Sequence, residues 1–388
     1  MRILQVHNYY QWEGGEDTVV AAERWLLESA GHTVELYAVD NAAISSVMAK
    51  ARTFRNVVYN DGARIAFSKT LSSFRPDIVH VHNFFPLLSP SIYDAAAESN
   101  IPVVQTLQNF RTICAGATMF RDGQACELCL DGRPYRAVVY RCYRGSILGS
   151  LAVANMIAYH RRKGTWSTAV TRYIALTSFA RDKFIEAGFP PERIVIKPNF
   201  IADPGPPAEH GREGALFVGR LSAEKGADVL LRAWPDVDYP LRILGDGPEL
   251  ATLRRRASSR ILFEGHVGRD RVQAAMQTAR FLVLPSLWYE GLPMTVIEAF
   301  ANGLPVVASR LGALPELIED GVTGCLFAPG DVSALAAATN ELLRDPKRLR
   351  AMSIAARERY ESLYKPERNR DLILSVYADA IAGRSSGS

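Results

Sequence analysis

Two glutamates eight positions apart, Glu290 and Glu298, lie in the stretch best suited to chemistry, residues 286–303, S-L-W-Y-E-G-L-P-M-T-V-I-E-A-F-A-N-G. The apolar run before it, residues 281–285, reads as a buried strand. Gly291 and Pro293 then turn the chain into an apolar-periodic segment that reads as a helix through Ala301. Glu290 falls in the turn and Glu298 inside the helix. A strand, a glycine turn and a helix N-terminus present unpaired amides and the positive end of the helix dipole, which makes an anion site. Two carboxylates beside such a site suit a ligand with both phosphates and hydroxyls, such as a nucleotide-sugar. A glycosidase-like acid and base pair is the other reading of two carboxylates. Glu298, beside the phosphate loop, is better placed to accept from ribose hydroxyls, and Glu290 from those of a transferred sugar.

Two further loops could hold a diphosphate. Paired glycines in E-G-G-E, residues 13–16, allow a backbone to approach an anion at the start of a helix. In F-V-G-R-L, residues 217–221, followed by Lys225-Gly226, the cations Arg220 and Lys225 straddle a strand end and could pair with two phosphates.

The elements that must position these loops alternate along the chain. Strands are expected at residues 2–7, 33–39, 77–82, 101–107, 173–177 and 194–197, and again at 215–218, 241–244, 261–263, 281–284 and 306–308. Helices between them imply two doubly wound, Rossmann-like α/β halves, whose ligands gather at the carboxyl ends of the strands. Residues 199–213, N-F-I-A-D-P-G-P-P-A-E-H-G-R-E, read as a linker. This divides the chain into an acceptor-side domain at 1–198, a donor domain at 214–365, and a C-terminal helix at 366–388 that packs back on the first domain and ends in a frayed tail.

The chain of 388 residues, 48% hydrophobic, is long enough for two cores. No apolar run approaches the roughly 20 residues of a membrane span. M-R-I-L-Q-V-H reads as a first strand rather than a signal peptide, so a cytoplasmic location is expected. The net charge of +4 is uneven: residues 132–181 contain no Asp or Glu but many arginines. That segment is either a solvated face or a surface for anionic lipid or a diphosphate-bearing acceptor, peripheral to the inner membrane face. Nucleic acid is set aside, since no nucleic-acid motif accompanies the charge. The apolar segment 147–158 reads as a core helix or as one lying on a membrane.

The second half resembles the retaining nucleotide-sugar glycosyltransferases of the GT-B fold, glycosyltransferase family 4, group 1 type. The matching motifs are F-V-G-R-L with Lys225-Gly226, G-D-G-P-E-L at 245–250, F-E-G-H-V at 263–267, the glutamate pair, N-G-L-P-V-V-A-S-R-L-G-A-L-P-E at 302–316 and D-G-V-T-G-C-L-F at 320–327. The resemblance implies two Rossmann-like domains facing each other across a cleft. It implies that Arg220 and Lys225 neutralise the donor diphosphate, Glu290 holds the sugar and Glu298 the ribose. Gly219, Gly291, Leu292, Pro293, Met294 and Thr295 would line the donor site, Gly265, His266 and Val267 would contact the base, and Gly15 would reach the diphosphate from the other domain. The implied activity is metal-independent transfer of a sugar, with retention, from a UDP-, GDP-, ADP- or dTDP-linked donor to the hydroxyl of a small or lipid-linked acceptor.

Members of that family carry histidine where this chain has Gln108, in T-L-Q-N-F-R at residues 106–111. A glutamine amide can still donate to a sugar hydroxyl but cannot titrate. Gln108 is therefore expected to contact the donor sugar in a working transferase. The competing reading is a catalytically weakened sugar-nucleotide-binding subunit. His82, Asn83 and Arg111 are candidate acceptor contacts at strand ends. Four of the five cysteines, Cys114, Cys126, Cys129 and Cys142, are clustered, which suggests a structural zinc site, with free thiols or disulfides as the alternatives. Cys325, alone in an apolar run, reads as core.

Overall fold

Runs of Val, Ile and Leu without polar alternation are what a parallel sheet covered on both faces requires. The computed structural model, which describes residues 1–11, 14–208 and 211–385, turns them into two wholly parallel six-stranded sheets. The strands in chain order are β1 (Arg2–Tyr9), β2 (Thr33–Asp40), β3 (Ile78–Val81), β4 (Val103–Leu107), β5 (Phe120–Arg121), β6 (Gln124–Ala125), β7 (Arg172–Ala175) and β8 (Ile194–Ile196). The second half adds β9 (Ala215–Val218), β10 (Leu241–Leu244), β11 (Ile261–Gly265), β12 (Phe281–Leu284), β13 (Val306–Ser309) and β14 (Gly324–Phe327). The first sheet has the order β2-β1-β3-β4-β7-β8 and the second β11-β10-β9-β12-β13-β14, while β5 and β6 form a separate antiparallel hairpin. Strand order reverses between β1 and β3 in the first sheet and between β9 and β12 in the second. In open parallel sheets such reversal points hold the ligand crevice, at the carboxyl ends of the strands.

The chain divides into two units. The first comprises Met1–Met119, Glu127–Pro198 and the C-terminal segment from Glu367; the second comprises Phe120–Cys126 and Asn199–Pro366. Residues 199–208, which read as linker, are fastened to the second unit. Arg357 pairs with Asp203 at 2.6 Å and donates to the Gly205 carbonyl at 3.1 Å. Prolines and glycines break the periodicity there, but a partner 154 positions away fixes the segment. Glu209 and His210 lie outside the described residues.

The helix Pro366–Ser385 places Ile373, Val376, Tyr377 and Ala380 in one buried cluster with Ile3, Leu27, Val34, Ile78, Val104 and Ile174 of the first unit. Its backbone is helical through Ser385, past the Arg384 where fraying is expected; residues 386–388 lie outside the described residues. A buried ion pair lies beside this cluster. Lys197 Nζ is 2.8 Å from Glu23 and 3.0 Å from the Asn369 side-chain oxygen, and Asn369 donates to the Pro198 carbonyl at 2.6 Å. Next to it, His80 bridges the Tyr377 hydroxyl and Thr106, at 2.8 Å each. Burial, with Lys197 adding to it, lowers the His80 pKa to about 3, so the ring is neutral.

Removing one partner of a buried pair strands the other charge. Lys197→Ala is therefore expected to lower unfolding free energy by about 3–5 kcal/mol, with much of the loss regained in Lys197→Met/Glu23→Gln. Urea unfolding followed by far-UV circular dichroism checks this, and equal midpoints for wild type and Lys197→Ala would contradict it.

Candidate active site

At the reversal point of the second sheet, the loops after β9 and β12 are forced into contact. Gly226 adopts φ +69°, and a Cβ there would collide with the Pro285 carbonyl oxygen, so glycine is required for this approach. The Leu287 amide donates to the Glu224 carbonyl at 2.8 Å, tying the two loops again. A second close approach occurs beside them: Gly245, after β10, lies against the Gly219 carbonyl where no side chain fits.

The result is a cation held on a buried carboxylate. Lys225 Nζ donates to both Glu290 oxygens, at 2.8 and 3.1 Å, and Ser286 Oγ donates to Glu290 Oε1 at 2.7 Å. Glu290 is 3% exposed, while the Lys225 side chain is 21% exposed and lies 5.1 Å from the centre of the Trp288 ring. The ammonium is thus positioned before any ligand arrives, with one side still open. Arg220 is more loosely placed: its side chain is 68% exposed and pairs with Glu224 at 3.0 Å, a surface bond that a phosphate can displace.

The helix Met294–Ala301 begins right after this pair, and no side chain caps its first turn. Its early amides are therefore available to an anion. Glu298 lies on the same helix, and burial pushes its carboxyl pKa up, opposed in part by Arg269. Gly265 ends β11 with φ +75°, followed by an exposed His266 and a half-buried Val267.

The reversal point of the first sheet gathers a different set. Gly14 precedes the helix Gly15–Ser29 and donates its amide to Asp17 at 2.9 Å, and Asp17 binds His7 at 2.7 Å. Glu13, the first residue of the glycine loop, lies outside the described residues. Tyr10 and Asn109 both donate to Glu16, at 2.9 Å each, which brings the end of β4 to the glycine loop. Burial raises the Glu16 carboxyl pKa, against the pull of those two donors. This network was missed from sequence, although an acidic residue directly after Gly15 marks a helix start. Gln108, beside Asn109, has a buried Nε2 with no hydrogen-bond partner among the described residues. A donor so placed suits a ligand oxygen.

The three candidate acceptor residues separate. His82 is 4% exposed, with Nε2 3.5 Å from Glu23, and its pKa is driven well below the ordinary value by burial and by His80. Asn83 donates to the Asn8 carbonyl at 2.7 Å and accepts from the Phe85 amide at 2.9 Å. Asn83 thereby holds the loop after β3, whereas neither ring nitrogen of His82 makes a hydrogen bond among the described residues. Arg111 instead lines a cavity of the first unit, with its guanidinium 4.4 Å from the centre of the Phe85 ring.

None of the clustered cysteines is in a disulfide. The sulfurs of Cys114, Cys129 and Cys142 are not within 4.8 Å of one another; among the described residues only Glu23, His80 and His82 meet that spacing. There Lys197 already supplies the positive charge, so no cation is called for. Cys325 is 7% exposed and packs in the core of the second unit.

Two outcomes are expected. Metal analysis of the purified protein should find zinc well below one per chain; one zinc per chain, released together with thiol protection on unfolding, would restore the metal reading. Lys225→Ala should lower stability by about 2–3 kcal/mol, because Glu290 is left buried and unpaired, and Lys225→Ala/Glu290→Gln should recover most of that. Thermal unfolding of the four proteins of that cycle decides it, and additive losses would be the contrary result.

The family model for glycosyl transferases group 1 matches residues 212–345, and that for the glycosyl transferase 4-like domain matches residues 14–199. A GDP-mannose-dependent alpha-(1-6)-phosphatidylinositol monomannoside mannosyltransferase of Mycolicibacterium smegmatis is 36% identical over 162 residues, 38% of this chain and 42% of that one. A glycogen synthase of Mycobacterium tuberculosis is 38% identical over 157 residues, 38% of each chain. These alignments span less than half of either relative's length. Among solved structures, sucrose-phosphate synthase from Thermosynechococcus elongatus superposes with a TM-score of 0.72 at 17% identity, over 98% of this chain and 99% of that one. The Anabaena protein HepE in complex with UDP gives 0.66 at 17% identity, over 97% and 100%. Two doubly wound parallel sheets, a cation and carboxylate at a reversal point, and two family models that together cover most of the sequence place this chain among the GT-B glycosyltransferases of the group 1, family 4 type.

Proposed function

We propose that this chain transfers a sugar, with retention and without a catalytic metal, from a nucleoside-diphosphate sugar to a hydroxyl acceptor. The observation that carries the reading is Lys225 held on Glu290 beside the uncapped helix Met294–Ala301. In the reaction, the bond from the anomeric carbon to the diphosphate oxygen breaks and its electron pair leaves with the diphosphate. Lys225, Arg220 and the amides of Met294 and Thr295 at the start of the helix stabilise that charge, an arrangement that needs no reorganisation at the moment of reaction. The acceptor oxygen bonds to the same face of the anomeric carbon, and its proton passes to the departing phosphate.

Glu290 accepts from the sugar hydroxyls and Glu298 from the ribose. Gly265, His266 and Val267 border the base, and Gly15 approaches the diphosphate. The Gln108 amide donates to the sugar. The choice of base is open between the guanine of the mannosyltransferase relative and the uracil of the HepE complex, with ADP- and dTDP-sugars also to be screened. No helix among the described residues is long and apolar enough to cross a membrane. We place the enzyme in the cytoplasm, at the inner membrane face, where the carboxylate-free segment at 132–181 meets anionic lipid or a lipid-linked acceptor.

A second reading, a sugar-nucleotide-binding subunit with weakened chemistry, draws on Gln108 alone. One experiment separates the two. Binding of UDP-, GDP-, ADP- and dTDP-sugars is measured first, then donor hydrolysis in the presence of chelator. We expect one nucleotide class to bind, hydrolysis to persist without divalent metal, and Lys225→Ala to lower turnover about 100- to 1000-fold. Gln108→Ala should weaken both binding and turnover. Turnover that appears only in Gln108→His would favour the weakened subunit, and no binding by any donor would overturn both readings.

A further inference from the structure

The largest cavity described in the first unit holds none of the residues given a donor role. It encloses about 880 Å3, within the range of small-molecule sites. It opens where four strands end: Tyr10 follows β1, Asn41 follows β2, Phe85 and Pro86 follow β3, and Arg111 follows β4. Its sides are the helices Val47–Asn56 and Ile147–Lys163.

The lining combines two chemistries that seldom share one wall. Lys50, Arg111 and Arg144 contribute three cations, and no carboxylate lines the cavity. Among the described residues none of the three is in an ion pair with a carboxylate. Arg111 and Arg144 lie over the Tyr143 ring, at 5.3 and 5.6 Å from its centre, which fixes a cationic corner. The imbalance extends along the sequence on both sides: residues 41–60, like residues 132–181, contain no Asp or Glu. Phe54, Val57, Leu148, Ala152 and Val153 supply apolar lining to the same cavity.

That lining continues into solvent. The helix Val47–Asn56 buries none of its side chains; Val47, which lines the cavity, is 82% exposed and its neighbour Met48 81%, while Leu148, also in the lining, is 65% exposed. Large apolar side chains gathered at a cavity mouth mark a surface meant to be covered. A soluble phosphosugar would satisfy the cations and leave the apolar wall wet. A neutral lipid would cover the wall and leave three like charges unneutralised. Only a ligand that is anionic at one end and apolar at the other answers both.

We infer that this cavity binds a phosphate-bearing membrane lipid, its phosphate held by Arg111, Arg144 and Lys50 and its chains lying along Phe54, Val57 and Leu148 toward Val47 and Met48. Its role as the sugar acceptor rests on the transferase reading; the binding itself does not. The enzyme would then meet its acceptor at the bilayer surface, with the exposed helix Val47–Asn56 against the lipid.

The test uses the full-length protein and titration calorimetry. The probe is dihexanoyl phosphatidic acid; glycerol 3-phosphate supplies the charge without the chains, and octyl glucoside the chain without the charge. Phosphatidic acid should bind saturably and about tenfold or more tighter than either control. Lys50→Glu/Arg144→Glu and, separately, Leu148→Asp should each weaken it about tenfold. All three positions are at the surface, so these variants should fold, and far-UV circular dichroism monitors that. Equal affinity for glycerol 3-phosphate would mean a soluble phosphate ligand, equal affinity for octyl glucoside a merely apolar surface, and unchanged affinity in the variants a different site; each overturns the proposal. Nucleotide-sugar binding, followed in the same samples, should not change in the variants. Lipid bound with no nucleotide-sugar bound would sink the transferase reading and leave this site standing, whereas the reverse would sink this site alone.

Discussion

A carboxylate as deeply buried as Glu290 needs a partner against it, and Lys225 pairs with it at 2.8 Å. This requirement links the loop after β9 to the loop after β12. The glycine at 226 permits the approach, the amide of Leu287 secures it, and the order of the second sheet creates it by placing β9 and β12 side by side. The helix Met294–Ala301 begins where that contact ends. A positive charge is thereby fixed beside the uncapped start of the helix that carries Glu298, before any substrate is present. Such preorganisation is what an enzyme that expels a diphosphate needs.

The first unit solves a different problem with the same sheet architecture. Its reversal point, between β1 and β3, carries internal ties: Glu16 to Tyr10 and Asn109, Asp17 to His7 and to the Gly14 amide. Deeper in, Glu23 and Lys197 neutralise each other beneath the C-terminal helix. The buried charges of this unit are therefore largely spent on holding its own loops. Its open cations, Lys50, Arg111 and Arg144, stand around the cavity on a surface from which acidic residues are missing. One unit thus offers a site for a compact polyanion, and the other a site in which charge and apolar surface adjoin.

The legible parts of the sequence were those governed by local rules. Parallel strands buried on both faces must be short apolar runs, and so F-L-V-L at 281–284 and A-L-F-V at 215–218 stood out unaided. The helix Val47–Asn56 went unread because its apolar positions at helical spacing, Val47, Ala51 and Phe54, are few and set among Lys50, Arg52 and Arg55, and none of its side chains is buried. Nor did the hairpin of β5 and β6, two residues to a strand, show an alternation long enough to read. Residues 199–208 had the composition of a linker, and bonds from Arg357 and Tyr360, far along the chain, tie them to the second unit. The cysteine spacing suggested a thiolate site, but the distances between the sulfurs, no three of which lie within 4.8 Å of one another, are set by the fold and not by the spacing.

The sequence by itself determined the alternation of strands and helices, the two-unit plan, and the identity of the loops that end at strand carboxyl termini. These follow from periodicity and from the backbone demands of glycine and proline, which act over a few residues. It also carried Arg220, Lys225, Glu290 and Glu298 as candidates, since charged residues beside glycine turns are visible in one dimension. Only the tertiary structure decided that Lys225 and Glu290, 65 positions apart, form one buried pair. It also decided that His82 and Asn83 face inward while Arg111 lines a cavity, and that two acid-free segments close on the same space. Pairing and burial depend on which strands become neighbours in a sheet, and that is set by long-range packing, not by any window of the chain.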